Sequence, residues 1–212
     1  MGLLASPILI LLDPRFVPAP ILLTTVVLTT LLIYRDRSAI DFHGIRWAMV
    51  GRVGGTLSAA AVLLVVSADQ LVLLYGVFIL SSVVMSLSGL PVPISRLVLI
   101  VAGALSGLLG TVASVGGPPM ALVYQNASGM RIRSTMSGFF LFGANLSLTT
   151  LWVIGRLSFL DIQLALIMLP STLAGFVLSR WTTDYVDRGY VRPTVLTVAA
   201  GTGLLVIIRQ LI

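Results

Sequence analysis

The sequence predicts an all-α, polytopic transmembrane protein built from two related halves, with a broken or re-entrant helix at Gly116-Gly117-Pro118-Pro119. Three observations carry that expectation. Of 212 residues, 58% are hydrophobic and 9% charged, whereas a soluble domain is about a quarter charged. The apolar residues fall into segments of the length that crosses a hydrocarbon core, about 20 residues as a helix. One of these segments carries two glycines followed at once by two prolines.

Taken in order, residues 2–12 are apolar but too short to span. No basic residue precedes them and Asp13-Pro14-Arg15 follows, so they do not read as a signal peptide. Spans are expected at 16–34, 45–66, 71–90, 97–124, 136–154, 160–179 and 193–208. Gly89-Leu90-Pro91-Val92-Pro93 punctuates the chain between a first half, 1–90, and a second, 94–212. The segment 97–124 would measure roughly 42 Å as one helix, longer than a hydrocarbon core of about 30 Å. It must tilt or break. Pro118 and Pro119 lack amide hydrogens and push the residue before each away from helical dihedrals, which puts the break there. At membrane depth such a break is tolerated only where protein or a water-filled cavity satisfies the freed backbone, and it points to a transporter's binding site.

The halves are related by weak matches at a common spacing. Thr29-Thr30 pairs with Thr149-Thr150, Ser38 with Ser158, Asp41 with Asp161 and Gly55 with Gly175. Pro7-Ile8-Leu9 resembles Pro119-Met120-Ala121, so Ser6 and Pro7 fall where the second half carries its proline pair. The first half then lacks a counterpart of the helix before that pair: the chain starts upstream of Met1 or has lost that helix. Arginine bias also flips between halves. Arg35, Arg37, Arg46 and Arg52 follow the first long span, whereas in the second half Arg180, Arg188 and Arg192 follow the second. Opposite bias is the mark of an inverted repeat, which requires that the 97–124 segment not cross once.

Composition excludes much chemistry. With no cysteine, disulfides, thiol catalysis and Cys-based metal sites are absent, and the one histidine, His43, lies in a charged loop. All basic residues are arginine, and the net charge of +6 suits loops facing anionic lipid rather than nucleic acid. Near the proline pair only Thr111 and Ser114 could act as nucleophiles, with no acid or histidine close by, so an enzyme is not expected. No Asp sits at the centre of a span; Asp69 and Asp161 lie near ends.

The stretch from Leu105 to Tyr124, followed by Gln125-Asn126 and Met130-Arg131-Ile132-Arg133-Ser134-Thr135, resembles the second-half signature of the TauE/SafE-like sulfite exporter family of membrane permeases. Asp13-Pro14-Arg15-Phe16-Val17-Pro18 and Gly51-Arg52-Val53-Gly54-Gly55-Thr56 look like that family's first half. The resemblance covers essentially the whole chain and implies two related halves, each with a glycine-rich motif. The first-half motif would precede Ala5-Ser6-Pro7, where only Gly2 remains.

From residues and resemblance together, the expected function is a multi-pass permease of a bacterial inner membrane. Its cargo would be a small sulfur-containing or organic anion such as sulfite or a sulfonate. The alternatives are a membrane-embedded enzyme or a non-transporting factor with a re-entrant loop. Gly116 and Gly117 allow close backbone approach to a ligand, and a helix starting at Pro118 or Pro119 would aim its amides at an anion. The bland reading is a packing kink among small residues. Asn145, central in its span, is a binding candidate or interhelical glue. Arg52 attracts the anion or snorkels to the interface; Arg131 and Arg133 guide it or simply mark an inside loop. Tyr124, with Gln125 and Asn126, closes the broken segment or belongs to an interfacial belt. Partners are therefore the anion and the bilayer, with room for a homo-oligomer; no cofactor or metal is expected.

Overall fold

The computed structural model describes residues 2–35, 42–89, 92–125, 129–186 and 191–211. Among them are the α-helices α1 (Gly2–Leu12), α2 (Ala19–Arg35), α3 (Phe42–Val65), α4 (Ala68–Ser88), α5 (Arg96–Ala113), α6 (Gly117–Val123), α7 (Gly129–Val153), α8 (Phe159–Val186) and α9 (Val191–Leu211). Among the described residues, six stretches are long and apolar enough to cross a membrane: Pro14–Arg35, Ile45–Val65, Gln70–Ser88, Arg96–Ala113, Thr135–Val153 and Phe159–Ser179. Gly2–Leu12 and Thr194–Gln210 are shorter apolar helices. The protein is a polytopic helical membrane protein.

Local chemistry sets the boundaries. Ser67 and Gln70 exchange side-chain-to-backbone bonds in a capping box that starts α4. Ser95 accepts from the Val98 amide to start α5. At the end of α7, Gly155 takes φ 71°. The Gly155 amide donates to the Trp152 carbonyl and the Arg156 amide to that of Leu151, closing the helix in a Schellman motif. Within the spans, hydroxyls turn back on their own helix: Thr25 donates to the Ile21 carbonyl at 2.7 Å, Thr29 to Thr25 at 2.7 Å and Thr150 to Leu146 at 2.8 Å. These side chains thereby present satisfied polar atoms at membrane depth.

The 97–124 segment breaks. α5 ends at Ala113, Ser114 adopts φ 58°, and α6 restarts at Gly117. α6 then runs back along α5: Gly116 lies against Ser106, and Met120 and Val123 share an apolar cluster with Ala102 and Leu99. The two helices form a re-entrant hairpin.

Packing fixes the directions. α3 and α5 are parallel, with Gly103 against Ala48 and Gly107 against Arg52 and Thr56. At their starts Arg46 and Arg96 both stack on Trp47. A Cβ at Gly51 or Gly55 would strike the Ile100 or Ala104 carbonyl of α5, so small residues bring the backbones together, as is usual in lipid. α4 and α9 are antiparallel, Gly76 meeting Ile207 and Gly203 meeting Ile79 and Leu80. The starts of α2, α4 and α8 and the ends of α3 and α7 gather around one cavity. We call this end of the bundle the first face. The end of α2 meets α8 at the second face, where Arg35 contacts Ser179 and Phe176. The α5–α6 hairpin therefore enters from the second face and returns to it.

The helix pairings follow a pattern. α2 packs on α7 and α4 on α9; α3 packs on α7 as α8 does on α2; α6 packs on α4 as α1 does on α9. Exchanging α1–α4 with α6–α9 leaves these pairs unchanged. α5 stands outside the exchange. It covers Gly51 of α3, whereas Ser171 of α8, at the matching register, is exposed.

Candidate anion site at the re-entrant hairpin

The hairpin closes over an arginine. Arg52 lies seven residues, about 10 Å along the helix, inside the span that begins at Ile45, and it is 2% exposed. The nearest acids in sequence are Asp41 and Asp69, and among the described residues no carboxylate pairs with it. Snorkelling to the interface is therefore not what this side chain does.

Its surroundings are shaped to the guanidinium. Arg52 Nη1 donates to Ser106 Oγ at 2.7 Å, and Ser106 Oγ donates to the Gly116 carbonyl at 2.5 Å. The guanidinium carbon stands 5.3 Å from the centre of the Phe139 ring, within cation–π range. Three glycines complete the cage. A Cβ on Gly143 would come within 2.5 Å of Nε, one on Gly110 within 2.8 Å of Nη2, and one on Gly116 within 2.9 Å of Nη1. The Nε hydrogen is buried with no partner. A guanidinium has five N–H donors and no acceptor. It is a planar cation with a free donor, held out of water with no carboxylate beside it among the described residues, and oxyanions are the ligands whose geometry matches such a fork.

One turn along α3, three hydroxyls meet. Thr111 Oγ1 bonds Ser147 Oγ at 2.7 Å and lies 3.4 Å from Thr56 Oγ1. All three side chains are wholly buried.

The expected site residues separate into groups. Gly116, Pro118 and Pro119 are buried in the hairpin and Gly117 is half-buried beside them. Gly117, Pro118 and Pro119 open α6, and two of the three have no N–H to offer. The positive group beside the break is Arg52, not a row of amides. Tyr124 ends α6 and packs on the cluster that contains Ile45 and Phe139. Ser6 and Pro7 are buried in α1, which packs on α9 and α4; it is Gly2 that reaches the hairpin, against Ser114. Asn145 is exposed on the face of α7 away from Gly143 and Ser147, and its Nδ2 donates to the Leu141 carbonyl at 2.8 Å. Asn126 and the side chains of Arg131 and Arg133 lie outside the described residues. Sequence reasoning does not reach Ser106, Gly110, Phe139 or Gly143. The available signal was an arginine flanked by glycine within an acid-free span.

A family model described as "Sulfite exporter TauE/SafE" matches residues 1–206. No curated protein and no solved structure matches.

Proposed function

The chain belongs to the sulfite exporter TauE/SafE family, and from that premise we propose that it carries a small sulfur-containing or organic oxyanion, such as sulfite or a sulfonate, through a site centred on Arg52. As a member of a transporter family it is a membrane permease and not an enzyme. The observation that carries the choice of an anion is the buried Arg52 with its unpartnered Nε and no carboxylate beside it. A cation would be repelled here, and a neutral solute would leave the charge uncompensated. The buried hydroxyls of Thr56, Thr111 and Ser147 supply the nearby donors, while the Gly116 carbonyl, an acceptor, is occupied by Ser106.

The test is flux of sulfite, sulfoacetate and sulfate in reconstituted vesicles. A hydrogen bond to a charged group contributes about 1.5–3 kcal/mol, so Arg52→Gln should slow flux by roughly 10- to 150-fold. Arg52→Lys, which keeps charge but loses the planar fork, should fall between. Unchanged flux in Arg52→Gln overturns the reading.

We further infer that residues 1–90 and 94–212 are inverted repeats in a bacterial inner membrane, a reading that the exchangeable pairings and the hairpin support. With α5–α6 returning to the second face, Arg35, Arg46, Arg96, Arg131, Arg133, Arg180 and Arg192 all fall at helix ends on that side. Among the described residues, only Arg15, Arg156 and Arg209 fall on the first face. The positive-inside rule then puts the second face in the cytoplasm.

A further inference from the structure

The cavity at the first face holds about 300 Å³, the lower end of the range for small-molecule sites. Arg15 and Arg156 give it two cations and Asp161 one acid. The acid is engaged locally: Asp161 Oδ2 accepts from both the amide and the hydroxyl of Ser158 at 2.7 Å. Arg156 is fixed in place, its Nη2 donating to the Leu63 carbonyl at 2.7 Å near the end of α3, a helix terminus where a cation is favoured. The cavity is thus biased toward anions, and low-dielectric walls focus such a bias.

Its inner wall includes Leu63 and Leu151, which are 2% and 1% exposed. Each belongs to a stripe on one helix face. On α3 the stripe reads Leu63, Ala59, Thr56, Arg52; on α7 it reads Leu151, Ser147, Gly143, spacings of three and four that align on a helix. The stripes are tied rung by rung. Gly143 lies against Arg52, and Ser147 joins Thr56 through Thr111. Leu63 and Leu151 both line the cavity and belong to one apolar cluster. From the cavity inward, the order is therefore leucine, hydroxyl, guanidinium, over about 16 Å of α3.

We propose that this cavity is the anion's vestibule and that Leu63 and Leu151 form the gate between it and Arg52, a proposal that rests on the permease reading above. Arg15 and Arg156 collect a small oxyanion from the first face. The leucine pair blocks hydrated ions, as apolar constrictions do by excluding water. Beyond it the hydroxyls of Thr56, Thr111 and Ser147 replace water around the anion on its way to Arg52.

The chain has no cysteine, so single-cysteine accessibility tests this directly. Ser158→Cys reports the vestibule and Ser147→Cys the layer beneath the gate, each in vesicles treated from either side with an anionic or a cationic methanethiosulfonate. We expect Cys at 158 to react from the first face, the anionic reagent losing its advantage in Arg156→Gln. Cys at 147 should react at least tenfold more slowly, and Leu151→Ala should raise its rate at least tenfold. Leu63→Ala provides a second opening of the same gate should Leu151→Ala fail to purify as a single folded species. Rapid labelling at 147 with both leucines in place, or continued protection in both alanine variants, overturns the gate. Labelling reads access, not turnover. Absence of anion flux with this labelling pattern intact would instead refute the permease reading alone.

Discussion

Gly116 and Gly117 are adjacent and chemically identical, yet alanine should harm only the first. Gly116 has φ −77° and ψ 0°, dihedrals that alanine tolerates, so the cost is contact alone. A Cβ there would stand 2.6 Å from the Ser106 carbonyl and 2.9 Å from Arg52 Nη1. Ordinary contact starts at 3.4 Å, so the hairpin must open by about 0.8 Å against backbone on one side and a caged guanidinium on the other. That strain is of the overpacking kind, about 1–3 kcal/mol. It also lengthens the 2.5 Å bond from Ser106 to the Gly116 carbonyl. At Gly117 the same Cβ meets nothing within 4 Å. Measured as sulfite flux per folded transporter in vesicles, Gly116→Ala should lose about 5- to 150-fold, with a lowered melting temperature. Gly117→Ala should stay within about twofold of the parent, inside the margin of a neutral surface change. A greater loss at Gly117 than at Gly116 would mean that the ligand touches the glycine backbone, and the Arg52-centred site would be wrong.

Other perturbations separate the cage from its scaffold. Gly143→Ala places a Cβ 2.5 Å from Arg52 Nε and should abolish most flux, whereas Gly54→Ala, with nothing within 4 Å, should be silent or stabilise by up to about 1 kcal/mol through helix propensity; flux and thermal melts of the pair decide it. Asn145→Ala removes an exposed side chain bonded to its own helix, so flux should not change, and a loss beyond about threefold would return Asn145 to the site. An epitope inserted after Gly155 should be accessible from outside the cell and one at residues 182–189 only after permeabilisation; the reverse result refutes the assigned sidedness.

What the sequence revealed was whatever local backbone chemistry dictates. The break at Gly116-Gly117-Pro118-Pro119 follows from missing amides and needs no tertiary contact, and arginine bias already argued that the segment returns. Helix ends were less legible. α3 starts at Phe42 and α7 at Gly129, because polar first turns such as Gly129-Met130-Arg131 extend a helix beyond its apolar stretch. Arg52 was undervalued for a related reason: one-dimensional distance to a span end says nothing about which face a side chain takes or what covers it. The cage depends on Ser106, Gly110 and Gly143, residues from two other helices whose composition is ordinary. Asn145 shows the opposite difficulty. A central polar residue in a span suggested a buried partner, but its amide reaches the Leu141 carbonyl of its own helix and needs no other.

On the proposed reading Arg52 has two physical roles, and stability alone explains only one. As a pin it holds Ser106, and through it the Gly116 carbonyl, closing the hairpin; a neutral amide of similar reach would contribute about 1 kcal/mol to that end. Placing an ion at this depth costs about 3 kcal/mol on insertion scales, and replacing buried ions with apolar groups is often neutral or stabilising. The charge is therefore a liability until an anion arrives, when guanidinium and oxyanion together approach neutrality. The loaded site should be the stable one. Ligand at about 100 times its dissociation constant adds about 2.7 kcal/mol, so sulfite should raise the melting temperature of the detergent-solubilised protein in a saturable way. Arg52→Gln should lose that shift while melting, without ligand, close to the parent. If ligand-free Arg52→Gln instead melts far below the parent, and sulfite moves neither protein, then Arg52 is a pin and nothing more.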